Sequence, residues 1–139
     1  MSLSAFLAGN ALKPETVRYV ASGRFRDENG APVEWELRPL TSAEDRDIRA
    51  ACSRRVKTPG RKNVYQSETD TNAYISRMTA AAVVYPNLNS RELQDSYHAM
   101  DAVSLLEKML LAGEFTSLAQ KVQEICGFDP EELVEEAKN

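Results

Sequence analysis

His98 is the single histidine of the chain, and Cys52 and Cys126 are its two cysteines. A hydrolytic triad or an imidazole-built zinc site would need His98 with organised partners, and no nucleophile elbow, HExxH or CxxC accompanies it. A surface or helix-end position for His98 is the expectation. The cysteines stand 74 positions apart, neither a metal-ligand pair nor a disulfide framework, and read as small core residues of a reducing compartment. Gly23, Gly30 and Gly60 do not compose a phosphate-cradling loop, so Pro59-Gly60-Arg61-Lys62 is a turn carrying charge. The adjacent Glu131 and Glu132 fall at a helix start, where the dipole favours carboxylates without any catalytic task. The residue types predict no catalytic residue, no cofactor and no metal.

What remains is charge. The 139-residue chain carries 17 basic and 21 acidic side chains, a net −4 with His98 neutral. Arg46, Arg49, Arg54, Arg55, Lys57, Arg61 and Lys62 fall within 17 positions against Asp47 alone, a local net of +6. Asp129, Glu131, Glu132, Glu135 and Glu136 against Lys138 make the last 11 residues −4. A basic stretch attracts phosphates and acidic protein surfaces; an acidic tail is repelled by nucleic acid. Length and a 42% hydrophobic content fit one globular domain. No apolar run approaches the roughly 20 residues that span a bilayer, and no basic region precedes the first apolar residues, so neither a membrane span nor a secretory leader is expected.

The elements that must position these charges follow from periodicity. Residues 1–14 carry Leu3, Phe6, Leu7 and Leu12, too few to fold alone, so this arm either packs on its own domain or engages a partner. Over 15–39 the apolar period is two, and Asp27-Glu28-Asn29-Gly30 supplies turn chemistry with Gly30 at the left-handed position. The predicted antiparallel hairpin pairs Asp27 with Ala31, Phe25 with Val33, Gly23 with Trp35 and Ala21 with Leu37, Gly23 making room for the indole. Thr41-Ser42-Ala43-Glu44 is a capping box opening a short helix over 41–52. Residues 53–68 show no usable period and read as a basic flexible loop. A helical core over 69–127 follows, with Tyr74, Ile75, Met78, Ala81, Ala82 and Tyr85 on a first stripe running to Val84, and caps at Asn89 and Asp101. Met100 and Leu105 take the staple positions around the second cap, and Gly127 stops the stripe Phe115, Leu118, Val122, Ile125. Asp129-Pro130 starts an acidic helix over 128–139. The fold class is α+β, a mostly helical body of about five helices behind an N-terminal antiparallel β-hairpin.

Several ordered segments resemble one family. They are Phe6-Leu7-Ala8, Arg24-Phe25-Arg26-Asp27-Glu28-Asn29-Gly30, Pro32-Val33-Glu34-Trp35, Ala82-Val83-Val84-Tyr85-Pro86-Asn87-Leu88-Asn89, Glu92-Leu93-Gln94-Asp95-Ser96-Tyr97, Leu106-Glu107-Lys108-Met109-Leu110, Gly113-Glu114-Phe115 and Val122-Gln123-Glu124-Ile125-Cys126-Gly127-Phe128. In this order they are similar to the XkdN-like tail assembly chaperones of PBSX-type contractile-tail phages and prophages, over nearly the whole chain. The resemblance implies a helper made in the bacterial host cytoplasm, absent from the finished virion. It implies that the partner is the tail tape measure protein, kept soluble until tail tube subunits polymerise around it, with the tail tube protein as a second partner. It also implies that a frameshift-extended form exists in many such systems.

No binding motif comes with the resemblance, so the docking residues are chosen on physical grounds. Leu3, Phe6 and Leu7 of the arm, with Leu133 and Val134 of the last helix, offer apolar contacts, and Arg54, Arg55, Lys57, Arg61 and Lys62 offer charge to an acidic partner. The competing function is a small nucleic-acid-binding regulator using the same basic 54–62 stretch. Against it stand the acidic chain and the lack of aromatic residues among those charges before Tyr65.

Overall fold

The computed structural model describes residues 2–128; the helix expected over 128–139 falls, from Asp129 onward, outside the described residues. Five α-helices and five strands occur among the described residues, an α+β architecture. Strands β1 (Val17–Tyr19) and β2 (Trp35–Leu37) pair antiparallel, Val17 opposite Leu37 and Tyr19 opposite Trp35.

The expected hairpin forms, yet its two ends follow different registers. Near the turn, Asp27 N–H donates to the Ala31 carbonyl at 2.9 Å and Val33 N–H to the Phe25 carbonyl at 2.8 Å, as the alternation predicts, with Gly30 at φ +81°. At the base the pairing has moved by four residues, so Tyr19 and not Gly23 faces Trp35. An even displacement leaves every side chain on its original face, which is why period-two hydrophobicity cannot detect it. The intervening chain turns inward instead: Ala21 and Ser22 are buried. A Cβ at Gly23 would meet the Arg26 guanidinium at 4.0 Å rather than the indole. Trp35 packs beside the Phe25 ring, with centroids 6.1 Å apart.

Helix α1 (Ser42–Ala51) opens with the full capping box: Glu44 N–H donates to Thr41 Oγ1 at 3.2 Å, and Thr41 N–H donates to Glu44 Oε1 at 3.1 Å. Asp70 caps α2 (Thr71–Ala82), accepting from Ala73 N–H. The stripe expected to run to Val84 breaks earlier. Residues Val83–Tyr85 form β5, antiparallel to the open side of β2, giving the sheet order β1-β2-β5. Leu37 lies opposite Val83 and Glu36 opposite Tyr85, a bulge that leaves Val84 without a partner residue. Two β-branched residues ahead of Pro86 suit an extended strand as well as a helix end, and a vacant strand edge decides between them.

Three further helices complete the body. Ser90, not Asn89, caps α3 (Arg91–Ser96), its Oγ accepting from Leu93 N–H at 3.3 Å, while Asn89 lies in the preceding turn with its N–H bonded to Asn87 Oδ1 at 3.0 Å. Asp101 caps α4 (Ala102–Met109) as expected, but Met100 is exposed and forms no staple with Leu105. α5 (Ala112–Ile125) begins with Glu114 accepting from Leu111 N–H at 2.8 Å, the returning half of a capping box whose other half a leucine cannot supply. It ends as Gly127 predicts, at φ +88°, with Gly127 N–H to the Glu124 carbonyl and Phe128 N–H to the Gln123 carbonyl.

The core lies where α2 meets α1, α4, α5 and β5. Trp35, Leu37, Met78, Leu105, Leu106, Leu118 and Val122 are essentially inaccessible to solvent. Polar clamps hold the rim. Arg24 donates to the Met109 carbonyl that ends α4 and to Glu114 Oε1 at 3.3 Å. The Tyr74 hydroxyl donates to Asp45, whose second oxygen takes the Arg49 Nε proton at 3.2 Å, while the Arg49 guanidinium covers the Tyr74 ring. Arg38 grips Glu44 with two bonds of 3.1 and 2.6 Å.

The hydrogen bond from Arg38, followed by that from Thr41 N–H, holds the Glu44 carboxyl down at about 2 from its ordinary 4.5. A lowered carboxylate contributes stability above its unfolded value and loses it as pH falls toward the folded one. Wild-type stability from chemical denaturation should therefore decline more steeply between pH 4.5 and about 2 than that of Glu44→Gln. In the core, Leu118→Ala removes a fully buried side chain and should cost ~2–5 kcal/mol in the same assay.

Candidate docking surfaces: a basic hairpin and an apolar arm

Residues 53–68, expected to be a flexible loop, form a second antiparallel hairpin. β3 (Ser53–Lys57) pairs with β4 (Tyr65–Thr69) in unbroken register from Ser53 opposite Thr69 to Lys57 opposite Tyr65. Gly60 at φ +77° and Asn63 at φ +61° turn the chain between them. The pattern concealed this because hydrophobic alternation marks a strand with one buried face. Here β4 is exposed from Tyr65 to Glu68, and on β3 only Ser53 and Val56 are partly covered.

The hairpin is fastened at its root. Ser53 Oγ donates to the Arg49 carbonyl at 2.8 Å and lies 2.8 Å from Thr69 Oγ1, and Asp70 N–H donates to the Cys52 carbonyl at 2.8 Å. Beyond that root it carries Arg54, Arg55, Lys57, Arg61 and Lys62, all exposed, against Glu68, a net +4 on a chain of net −4. Strand geometry divides them: Arg55 and Lys57 share a face with Tyr65, and Arg54 shares the other with Val56 and Val64. The Arg55 guanidinium sits 5.1 Å from the Tyr65 ring centre. Val64 and Tyr65, 41% and 53% exposed, add apolar area that inspection of charge alone missed. Their only signal in the sequence is parity with the basic residues, legible once the strands are known.

Among the described residues, the N-terminal arm, residues 2–14, is exposed throughout. A single 3-10 turn, Ser4–Phe6, and local bonds such as Asn10 Nδ2 to the Ser4 carbonyl at 2.8 Å organise it internally. Among the described residues no hydrogen bond ties 2–14 to the body. Leu3, Phe6, Leu7 and Leu12 are 76, 82, 56 and 97% exposed. Leu133 and Val134 lie outside the described residues.

Burial, with the bond to Asp45, pushes the Tyr74 hydroxyl far above its ordinary value, and burial raises the Cys126 thiol. His98 is exposed at the end of α3 with φ +54°. Among the described residues no group of three or more His, Cys, Asp or Glu could hold a metal ion, and no helix is long and apolar enough to cross a membrane. Shallow clefts of about 590 and 540 Å³ follow the outer side of α2 and share Arg77 and Ala73.

The model of the phage XkdN-like tail assembly chaperone proteins matches residues 3–138. The chain belongs to that family. XkdN of the phage-like element PBSX of Bacillus subtilis (strain 168) is 29% identical across 99% of this chain and 93% of its own length. The protein YqbN of the same strain is 31% identical over the same shares. The crystal structure of YqbN is similar at a TM-score of 0.78 and 25% identity, covering 93% of this chain and 98% of its own. Membership in a tail assembly chaperone family accords with the exposed apolar and basic projections described above.

If the hairpin stands free of the body, its charges are dispensable for folding. Replacing Arg55, Lys57, Arg61 and Lys62 together by Gln should leave stability within about 1 kcal/mol of wild type in chemical denaturation, as for exposed sites. Amide exchange should be faster in β3 and β4 than in α2, since a hairpin with no covered face is marginal.

Proposed function

We propose that the protein binds the tail tape measure protein in the bacterial host cytoplasm and keeps it soluble during tail morphogenesis, without catalysis and without entering the finished virion. The observation that carries this reading is the apolar arm: Leu3, Phe6, Leu7 and Leu12 are exposed, and the buried cluster of the described residues includes none of them. Full burial of such a side chain stabilises a complex by roughly 1.5–3 kcal/mol, and a protein that must later release its client needs only a few of them. The hairpin adds charge that steers an acidic stretch of partner into place and weakens with salt. Leu133 and Val134 are assigned to the same apolar contact. The tail tube protein, arriving at the moment of release, is the second partner.

Co-expression with the tape measure protein tests this directly. Phe6→Ala with Leu7→Ala should lower affinity about tenfold or more and reduce the soluble tape measure protein recovered. Deleting the arm should do so more severely. Undiminished rescue by an arm-deleted protein would refute the assignment. A gel shift with DNA or RNA that falls steeply with salt, in a protein that ignores tail components, would put the regulatory reading in its place.

A further inference from the structure

Hydrogen bonding across the basic hairpin is fixed at both ends. Thr58 N–H donates to the Val64 carbonyl at 2.8 Å near the turn, and Asp70 N–H donates to the Cys52 carbonyl at 2.8 Å at the root. Antiparallel strands bond at every second pair, so the bonded pairs between those ends are Arg54 with Glu68 and Val56 with Gln66. Arg55 and Lys57 therefore turn their main-chain N–H and C=O groups outward. Among the described residues β3 has β4 as its single partner strand, and no loop backbone bonds those outward groups.

The two edges of the hairpin differ in chemistry. β4 turns Tyr65 and Ser67 outward by the same alternation, and its one charged residue is Glu68. β3 holds Arg54, Arg55 and Lys57, all exposed, with Val56 half-buried among them. Among the described residues none of these cations has a carboxylate within ion-pair distance, Glu68 included. The Arg55 guanidinium rests against the Tyr65 ring, which is neutral and leaves its charge uncompensated. A second copy of the chain does not suit this edge: pairing β3 with β3 would set Arg55 and Lys57 against like charges, a destabilising arrangement. An acidic strand suits it.

Resting on the reading of the hairpin as the projection that meets an acidic stretch of partner, we propose that this stretch binds as an added antiparallel strand on the free edge of β3, with an acid-apolar-acid run opposite Lys57, Val56 and Arg55. Residues directly opposed in such a pair share a face. The two acids then meet cations spaced ~6.8 Å apart along the strand, and the residue between them falls opposite Val56 on the other face. The same two acids exchange main-chain bonds with Arg55 and Lys57. The edge thus reads the spacing of the charges as well as their sign.

Amide-resolved NMR titration of the full chain at low salt tests this with the blocked peptide Thr-Thr-Glu-Val-Glu-Thr-Thr and the isomer Thr-Thr-Glu-Glu-Val-Thr-Thr, equal in composition and charge. The first should bind about fivefold more tightly, the worth of one charge pair and one apolar pair across strands. Methylating both of its Glu nitrogens removes the donors aimed at Arg55 and Lys57 and should weaken binding about tenfold or more, whereas methylating the Val nitrogen, which faces away, should change it less than about twofold. Exchange of the Arg55 and Lys57 amides should slow in the complex. Equal affinity of the isomers together with indifference to Glu methylation would overturn the proposal and leave the hairpin reading standing as a contact of charge alone. Slowed exchange at Tyr65 and Ser67 in place of Arg55 and Lys57 would also overturn it. Binding of none of the peptides, whether or not oligothymidylate binds in their place, would overturn the hairpin reading with it.

Discussion

Burial of one face of α2 is the constraint from which the architecture follows. Tyr74, Met78 and Ala82 recur at intervals of four and are nearly or wholly inaccessible, with Thr79 buried beside them and its hydroxyl returned to the Ile75 carbonyl at 2.7 Å. α5 supplies Leu118 and Val122 to that core, α4 supplies Leu105 and Leu106, and β2 supplies Trp35 and Leu37. A short helical stripe is poorly stable in water by itself; its stability comes from the partners that cover it. The end of α2 runs into β5, and Arg38 N–H donates to the Ala82 carbonyl at 2.8 Å, so the packed helix also places the third strand of the sheet.

A body closed in this way has no further need of its projections, and that gives them their meaning. The arm carries leucines and a phenylalanine that the core does not enclose, and the second hairpin carries positive charge that no body carboxylate neutralises within ion-pair distance among the described residues. An exposed set of large apolar side chains costs solubility, and a strand pair without a covered face is weakly held. Both are understandable in a protein of the tail assembly chaperone family, whose work is done through contacts with other chains. The clamps at Arg24, Arg38 and Tyr74 tie the rim of the body together.

Much of this order was legible from residue spacing. The capping box at Thr41 and Glu44, the cap at Asp101 and the left-handed stop at Gly127 are local events, each decided by groups within four residues of a backbone donor or acceptor. Other features escaped for reasons that can be named. Ser90 took the cap in place of Asn89 because the helix starts one residue later, after a turn in which Asn89 N–H is bonded to Asn87 Oδ1. The first hairpin slipped by an even number of residues, a change invisible to alternation. The basic cluster shows in a count of charges, but its carrier does not, because strands exposed on both faces lack a hydrophobic signature.

Sequence alone determined which residues could begin and end helices, which stripes had to be covered, and where charge accumulates, since these depend on chemistry within one or two turns of chain. Tertiary structure alone decided that Val83–Tyr85 would leave the helix to complete a sheet, that Tyr19 would stand opposite Trp35, and that five basic side chains would ride on paired strands. Those outcomes rest on hydrogen-bonding edges and neighbours tens of residues away, whose positions exist only once the chain has folded.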